Sequence, residues 1–245
     1  MSKKIVLAFS GGLDTSYCVL DLVEQGYEVH TAFVDTGGVD EAGREYIRRR
    51  ALDLGATRHH LIDVAQDIWD EFVRPLVWSH ARMRGEYPLL CSDRYLIVKT
   101  CLQLCDELGT RDFAHGCTGM GNDQLRFDQT VHSLGDYRVH APIRDLQSRV
   151  QAVRDYELQV MADAGIEVEE SASRYSINEN LLGTTISGSE IDQYLAPADD
   201  AWTRTADRSD WPSGSFDVRI GFEKGVAVRL DGQAMAGPDI RSLVW

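Results

Sequence analysis

Residues 5–16 read Ile5-Val6-Leu7-Ala8-Phe9-Ser10-Gly11-Gly12-Leu13-Asp14-Thr15-Ser16. An apolar run suited to a strand gives way to small and hydroxyl-bearing residues and then to a helix-compatible sequence. A strand that ends this way and opens a helix turns unpaired N–H groups, and the positive end of the helix dipole, towards whatever lies above it. The pattern predicts a seat for phosphate. Gly11 and Gly12 let the backbone approach an anion without interference from Cβ, and Ser10, Thr15 and Ser16 add hydroxyl donors. The loop G-x-x-x-x-G-K-[ST] is excluded because it needs a lysine and a wider glycine spacing, and G-x-G-x-x-G does not match either.

Outward from this stretch, strand and helix signals alternate. Strand-like runs occur at 5–9, 27–34, 59–64, 112–115 and 137–143, with helical periodicity at 15–24, 40–54, 65–83, 93–108, 123–134 and 148–164. Repeated β-α-β units predict an α/β fold, a doubly wound parallel sheet with ligands at the carboxyl ends of its strands. From about Glu167 the texture changes. Residues 175–188 are rich in Asn, Ser, Thr and Gly, 197–213 read as a long connection, and 216–230 alternate as a hairpin turning at Glu223-Lys224-Gly225. A boundary is expected near Ser171, with the remaining residues too few and too polar to bury much core alone.

The chain has 245 residues and a formal net charge of −14, from 25 Lys plus Arg against 39 Asp plus Glu. Such a field repels a nucleic-acid backbone, and the one basic cluster, Arg48-Arg49-Arg50, reads as a solvated helix face. No apolar stretch approaches the roughly 18 to 20 residues of a membrane span, which makes the cytoplasm the expected location. Five cysteines (Cys18, Cys91, Cys101, Cys105, Cys117) include no C-x-x-C pair and are expected as reduced thiols, Cys101 and Cys105 sharing a buried helix face. His59, His60 and His115 sit on strand patterns and form no catalytic cluster.

A second chemical segment runs His115-Gly116-Cys117-Thr118-Gly119-Met120-Gly121-Asn122-Asp123-Gln124-Leu125-Arg126-Phe127-Asp128. Asn122 or Asp123 could simply cap the helix that opens there. The density of functional groups points further: Thr118, Asn122 and Asp123 suit the α-carboxylate and α-amino groups of an amino acid, with Arg126 one turn on. A third segment is Tyr175-Ser176-Ile177-Asn178-Glu179-Asn180-Leu181-Leu182, with Thr185 behind it. The first stretch resembles the pyrophosphate loop of the N-type ATP pyrophosphatases, and the three segments in order resemble the signatures of the argininosuccinate synthase family across the whole chain, most weakly at 199–210.

That resemblance implies an adenine nucleotide α-hydrolase-like fold, with residues 1–170 as an ATP-binding pyrophosphatase-type domain and 171–245 as the N-terminal part of an α+β synthetase domain. It assigns ATP to Ala8, Phe9, Ser10, Gly11, Gly12, Leu13, Asp14, Thr15, Ser16, Val34 and Gly116. It assigns aspartate to Thr118, Asn122 and Asp123, and citrulline to Tyr87, Ser92, Asn122, Arg126, Ser176 and Thr185. Met120 stands where the family commonly has lysine, and one residue is missing between Tyr87 and Arg94. The implied reaction joins citrulline and aspartate through a citrullyl adenylate, with Mg²⁺ accompanying ATP and with Asp14 and Asp123 as the catalytic carboxylates. Asp14 is cast as an indirect partner of the ion and Asp123 as the group that orients aspartate's amine. The alternatives are a tRNA-thiolating enzyme with the same kind of loop and a nucleotide-binding module without turnover. The family continues beyond Trp245 and assembles as a tetramer. A chain ending there is expected to bind ATP, to bind citrulline weakly, to turn over poorly and not to form that tetramer by its usual route.

Overall fold

A computed structural model describes residues 3–86, 90–168, 175–202, 206 and 208–243. In chain order it contains β1 (Lys3–Ala8), α1 (Leu13–Glu24), β2 (Tyr27–Asp35), α2 (Glu41–Asp53), β3 (Arg58–Asp63), α3 (Ala65–Ile68) and α4 (Arg74–Ser79). There follow α5 (Asp93–Leu108), β4 (Asp112–Ala114), α6 (Asn122–Leu134), β5 (Arg138–His140), α7 (Pro142–Gln147) and α8 (Val153–Asp163). The last elements are β6 (Ser176–Asn180), β7 (Gly183–Ser187), β8 (Ile220–Glu223), β9 (Val226–Leu230), β10 (Gln233–Ala234) and α9 (Gly237–Leu243). The contacts divide them into two compact units, one of Met1–Asp35, Val39–Asp63 and Cys91–Ser173, the other of Thr36–Gly38, Val64–Leu90 and Arg174–Trp245. The boundary expected near Ser171 lies outside the described residues.

The first unit holds a five-stranded parallel sheet in the order β3-β2-β1-β4-β5. Ile5, Leu7 and Val29 pack with Tyr17, Leu22, Ile47, Ile143 and Met161, so α1, α2, α7 and α8 share one core. α5 contacts β1, β2 and β4 outside that core, which is why Ile5, Val6, Leu7 and Ala8 are buried without alternation. Strand order runs outward from β1 to β3 and then returns to β4 on the other side of β1. The crevice at such a reversal, above the carboxyl ends of β1 and β4, is where open α/β sheets bind ligands. Towards the amino-terminal ends Asp112 ties three strands together, accepting from Arg138 Nε at 2.8 Å, His140 Nε2 at 2.8 Å and Lys3 Nζ at 3.1 Å.

Three expectations are corrected here. The helix expected at 65–83 is interrupted by a π turn at Trp69–Val73, next to Pro75, which has no N–H for the ladder, and it ends at Ser79, where His80 caps it at φ 53°. The strand expected to reach Ile143 stops at His140, and Pro142 opens α7, which is separated from α8. Arg48 and Arg49 do pair with Glu45 at the surface, but Arg50 turns inward, its NH1 donating to the Glu167 carbonyl at 2.6 Å. Consecutive helical residues point about 100° apart, so a triplet cannot share one face.

In the second unit β6 and β7 pair as an antiparallel hairpin, and β8, β9 and β10 form a three-stranded antiparallel sheet. The expected turn between β8 and β9 is present, with Lys224 and Gly225 both at positive φ. The β6–β7 hairpin, β10 and α9 carry too short a pattern to be read from sequence. Among the described residues no helix is long and apolar enough to cross a membrane.

Candidate functional site

The loop after β1 is built from backbone. Phe9 N–H closes the strand by donating to the Ala32 carbonyl at 2.9 Å, and the chain then leaves the sheet. Gly11 adopts φ +80° with its Cα against α2, where a Cβ would stand 3.0 Å from Ile47 Cγ1. Gly12 is the N-cap of α1 at φ −72° and ψ 173°, and no side chain caps the helix. A Cβ at Gly12 would meet nothing closer than Ser10 Oγ at 3.5 Å. Space is therefore open beside Gly12, at an uncapped helix N-terminus. Ser10 Oγ lies 3.3 Å from Thr15 Oγ1, which donates to the Gly12 carbonyl at 3.2 Å, so these two hydroxyls sit at the mouth. Ser16 lies behind it: buried, with its N–H on the Gly12 carbonyl at 2.9 Å and its Oγ accepting from Arg50 Nε at 3.3 Å. Ala8, Phe9 and Leu13 are buried and offer backbone only. Burial raises the Asp14 carboxyl above the ordinary range, with nearby Arg154 opposing the shift.

The loop after β4 is built from side chains. A Cβ on Gly116 would come within 2.9 Å of Thr15 Cγ2 and 3.3 Å of Thr15 N, so this loop lies directly against the first turn of α1. His115, fully buried, braces it: Nδ1 accepts from Cys117 N–H at 3.1 Å, which leaves Nε2 to donate to Asp128 at 3.1 Å. That bond and the Arg144 contact at 2.8 Å hold the Asp128 carboxyl down at about 2. Gly119 N–H donates to Gln147 Oε1 at 2.7 Å. Gly121, not Asn122 or Asp123, is the N-cap of α6, and Asn122 is exposed. Asp123 is gripped from two sides, Oδ1 accepting from Arg126 NH1 at 2.7 Å and Oδ2 from Arg94 Nε at 3.2 Å. Arg94 is buried and also donates through NH1 to both oxygens of Asp93, at 2.9 Å each.

Of the other residues singled out, Val34 is buried near the end of β2, opposite Ile62 of β3. Thr118 stands in the loop before α6, while Met120 is 89% exposed. Ser92 is 1% exposed, and its Oγ has no hydrogen-bond partner among the described residues. In the second unit, Ser176 pairs with Ser187 and Asn178 with Thr185, which puts Ser176 and Thr185 diagonally on one face of the hairpin, both exposed. Tyr87 lies outside the described residues. Arg94, His115, Asp128 and Arg144 were not read as site residues. Asp128 and Arg144 have no sequence spacing that links them, whereas Arg94 stands next to Asp93 in a segment already suspect. All five cysteines are free thiols, and burial pushes Cys117, the one in this loop, up to about 12.

Residues 4–167 match the family described as "Arginosuccinate synthase N-terminal HUP domain", and residues 175–243 match "Arginosuccinate synthase C-terminal domain". The chain is 52% identical over 239 residues to "Argininosuccinate synthase" of Xanthomonas campestris pv. campestris, covering 98% of this chain and 60% of that protein. It is 38% identical to the protein of that name from Limosilactobacillus reuteri (96% and 57% covered) and 37% to that of Bacillus subtilis (94% and 57%). The chain thus spans about 60% of the length of these relatives.

Proposed function

The chain belongs to the argininosuccinate synthase family, and on that premise we propose that it is the ATP-activating part of a cytoplasmic ligase joining citrulline to aspartate. Residues 1–170 bind ATP, and 171–245 begin the domain that completes the amino-acid sites. The observation that carries this reading is the juxtaposition above β1 and β4: an uncapped start of α1 with room beside Gly12, and against it a loop whose Asp123 is held by two guanidiniums.

The citrulline ureido oxygen attacks the α-phosphorus of ATP and pyrophosphate leaves. The amine of aspartate then displaces AMP from the citrullyl adenylate. Little covalent work falls on the protein, so positioning and charge stabilisation supply most of the acceleration. Pyrophosphate gathers charge where the N–H groups of residues 13–15, the Ser10 and Thr15 hydroxyls and the α1 dipole converge. Asp123 acts by orientation: with Arg94 and Arg126 fixing its carboxylate, it aligns the amine of aspartate, with Thr118 and Asn122 beside it. By the family's pattern citrulline is assigned to Tyr87, Ser92, Asn122, Arg126, Ser176 and Thr185, and the adenine to the backbone at Val34. Mg²⁺ would accompany the phosphates of ATP and share their neutralisation, with Asp14, in the first turn of α1, as its indirect partner.

Citrulline-dependent exchange of labelled pyrophosphate into ATP tests the first half-reaction. Exchange that requires citrulline is expected. ATP binding with no exchange under any amino acid would reduce the chain to a nucleotide module, and a tRNA gel shift in place of exchange would favour the thiolating alternative.

A further inference from the structure

α8 packs against α1, and the face it turns inward carries Glu157 and Met161, one turn apart. An acid stands there where the amphipathic pattern calls for an apolar residue. Glu157 is 2% exposed, and its Oε1 has no hydrogen-bond partner among the described residues. A buried carboxylate without donors is costly, and the group relieves the cost by keeping its proton.

The charged and titratable groups around it are few. From α1 it feels Asp14 and Cys18; on α8 itself, Arg154 opposes the effect of burial. α7 also packs on α8, but Arg144 is committed to Asp128, and the charge of Asp145 acts on Asp21. Burial first, and the Asp14 charge second, push Glu157 up to about 8. Asp14 belongs to the first turn of α1, the turn whose N–H groups form the proposed phosphate seat.

We propose that Glu157 is a positioning residue for the phosphate loop: as an uncharged acid buried on the α8 face that packs against α1, it keeps the seat at the start of α1 free of a second negative charge beside Asp14, and its ionisation weakens the hold on polyphosphate. This rests on the reading that the loop after β1 binds ATP. The physical effect is direct. The positive potential of a helix N-terminus amounts to about half an elementary charge, and Asp14 already offsets part of it, so a further anion on the packed face opposes what is left.

The test is MgATP affinity measured by calorimetry between pH 7.5 and 9.5, above the titration of ATP itself, for the parent protein and for Glu157→Gln. The parent is expected to lose roughly three- to tenfold in affinity across that range, and Glu157→Gln to hold nearly constant. By reciprocity, ATP must raise the midpoint at which the Glu157 carboxyl ionises, which a carbon-13 NMR titration of the parent reads without any mutation. A midpoint displaced upwards by ATP supports the proposal even where the variant folds poorly. ATP binding with the same pH profile in both proteins, or a midpoint indifferent to ATP, overturns it and leaves the phosphate seat standing. Failure of the parent to bind ATP at pH 7.5 overturns the seat and the proposal together.

Discussion

Two loops meet at the carboxyl edge of the parallel sheet, and they use different parts of the chain. The loop after β1 presents backbone: Gly11 is committed to packing, Gly12 is open, and the donors are N–H groups at a helix start. The loop after β4 presents charge, with Asp123 between Arg94 and Arg126, and Asp128 between His115 and Arg144. A backbone seat has no titrating donor of its own and depends on the absence of a Cβ at one point. An ionic seat depends on every partner and fails in acid. The first suits a polyphosphate, which any donor array can hold; the second suits an amino acid, whose two charged groups must be told apart.

The sharpest break is Gly12→Val. The fold has room for the side chain, since φ is −72° and the nearest atom is 3.5 Å away, so a folded protein that has lost ATP affinity on the order of a hundredfold or more is expected. Calorimetry beside a thermal melt decides it, and an unchanged affinity would remove the phosphate seat. Next comes Asp123→Ala, which leaves two arginines without their shared carboxylate. On the proposed reading, whatever argininosuccinate formation the parent shows should fall by about two to three orders of magnitude while citrulline-dependent pyrophosphate exchange persists. Loss of both in a folded variant would mean that the second loop also serves the first half-reaction.

Gly11→Ala inverts the first prediction. Its φ of +80° and the 3.0 Å approach to Ile47 make it a stability change of about 1–2 kcal/mol, read from denaturant unfolding, with ATP affinity little altered in the folded fraction. The smallest effect is in acid. Asp128 is held at about 2, below the unfolded carboxylate value, so its contribution to stability is present above about pH 4 and is lost as pH falls through about 2. Asp128→Asn should flatten that limb, removing about 1–2 kcal/mol of pH-dependent stability. A variant whose acid limb matches the parent would show that the His115 and Arg144 contacts do not order the loop.

Much of the first unit was legible because burial on both faces gives parallel strands unbroken apolar runs. Ile5 to Phe9 found β1, and the helical periods found α1, α2, α5 and α6. The misreadings cluster at proline. Pro75 and Pro142 sit inside patterns that periodicity alone continues, and each breaks the ladder at its missing N–H. The second unit was read less well, since the five-residue strands β6 and β7 are shorter than the window over which alternation becomes a signal.

By itself the sequence determined the order of strands and helices, the glycine-opened helix start behind β1 and the residue types gathered behind β4. These are local properties, set by propensity and by spacing along one element. Only the tertiary structure decided which of those residues serve and how. It sent Arg50 inward to Ser16, divided the two adjacent glycines between packing and open space, closed Arg94 on Asp123 across 29 residues, and buried Glu157 on the face of α8 that packs against α1. The reason is that a side chain's charge state and partners depend on what the neighbouring element brings to the same face, and no periodicity within one element encodes that.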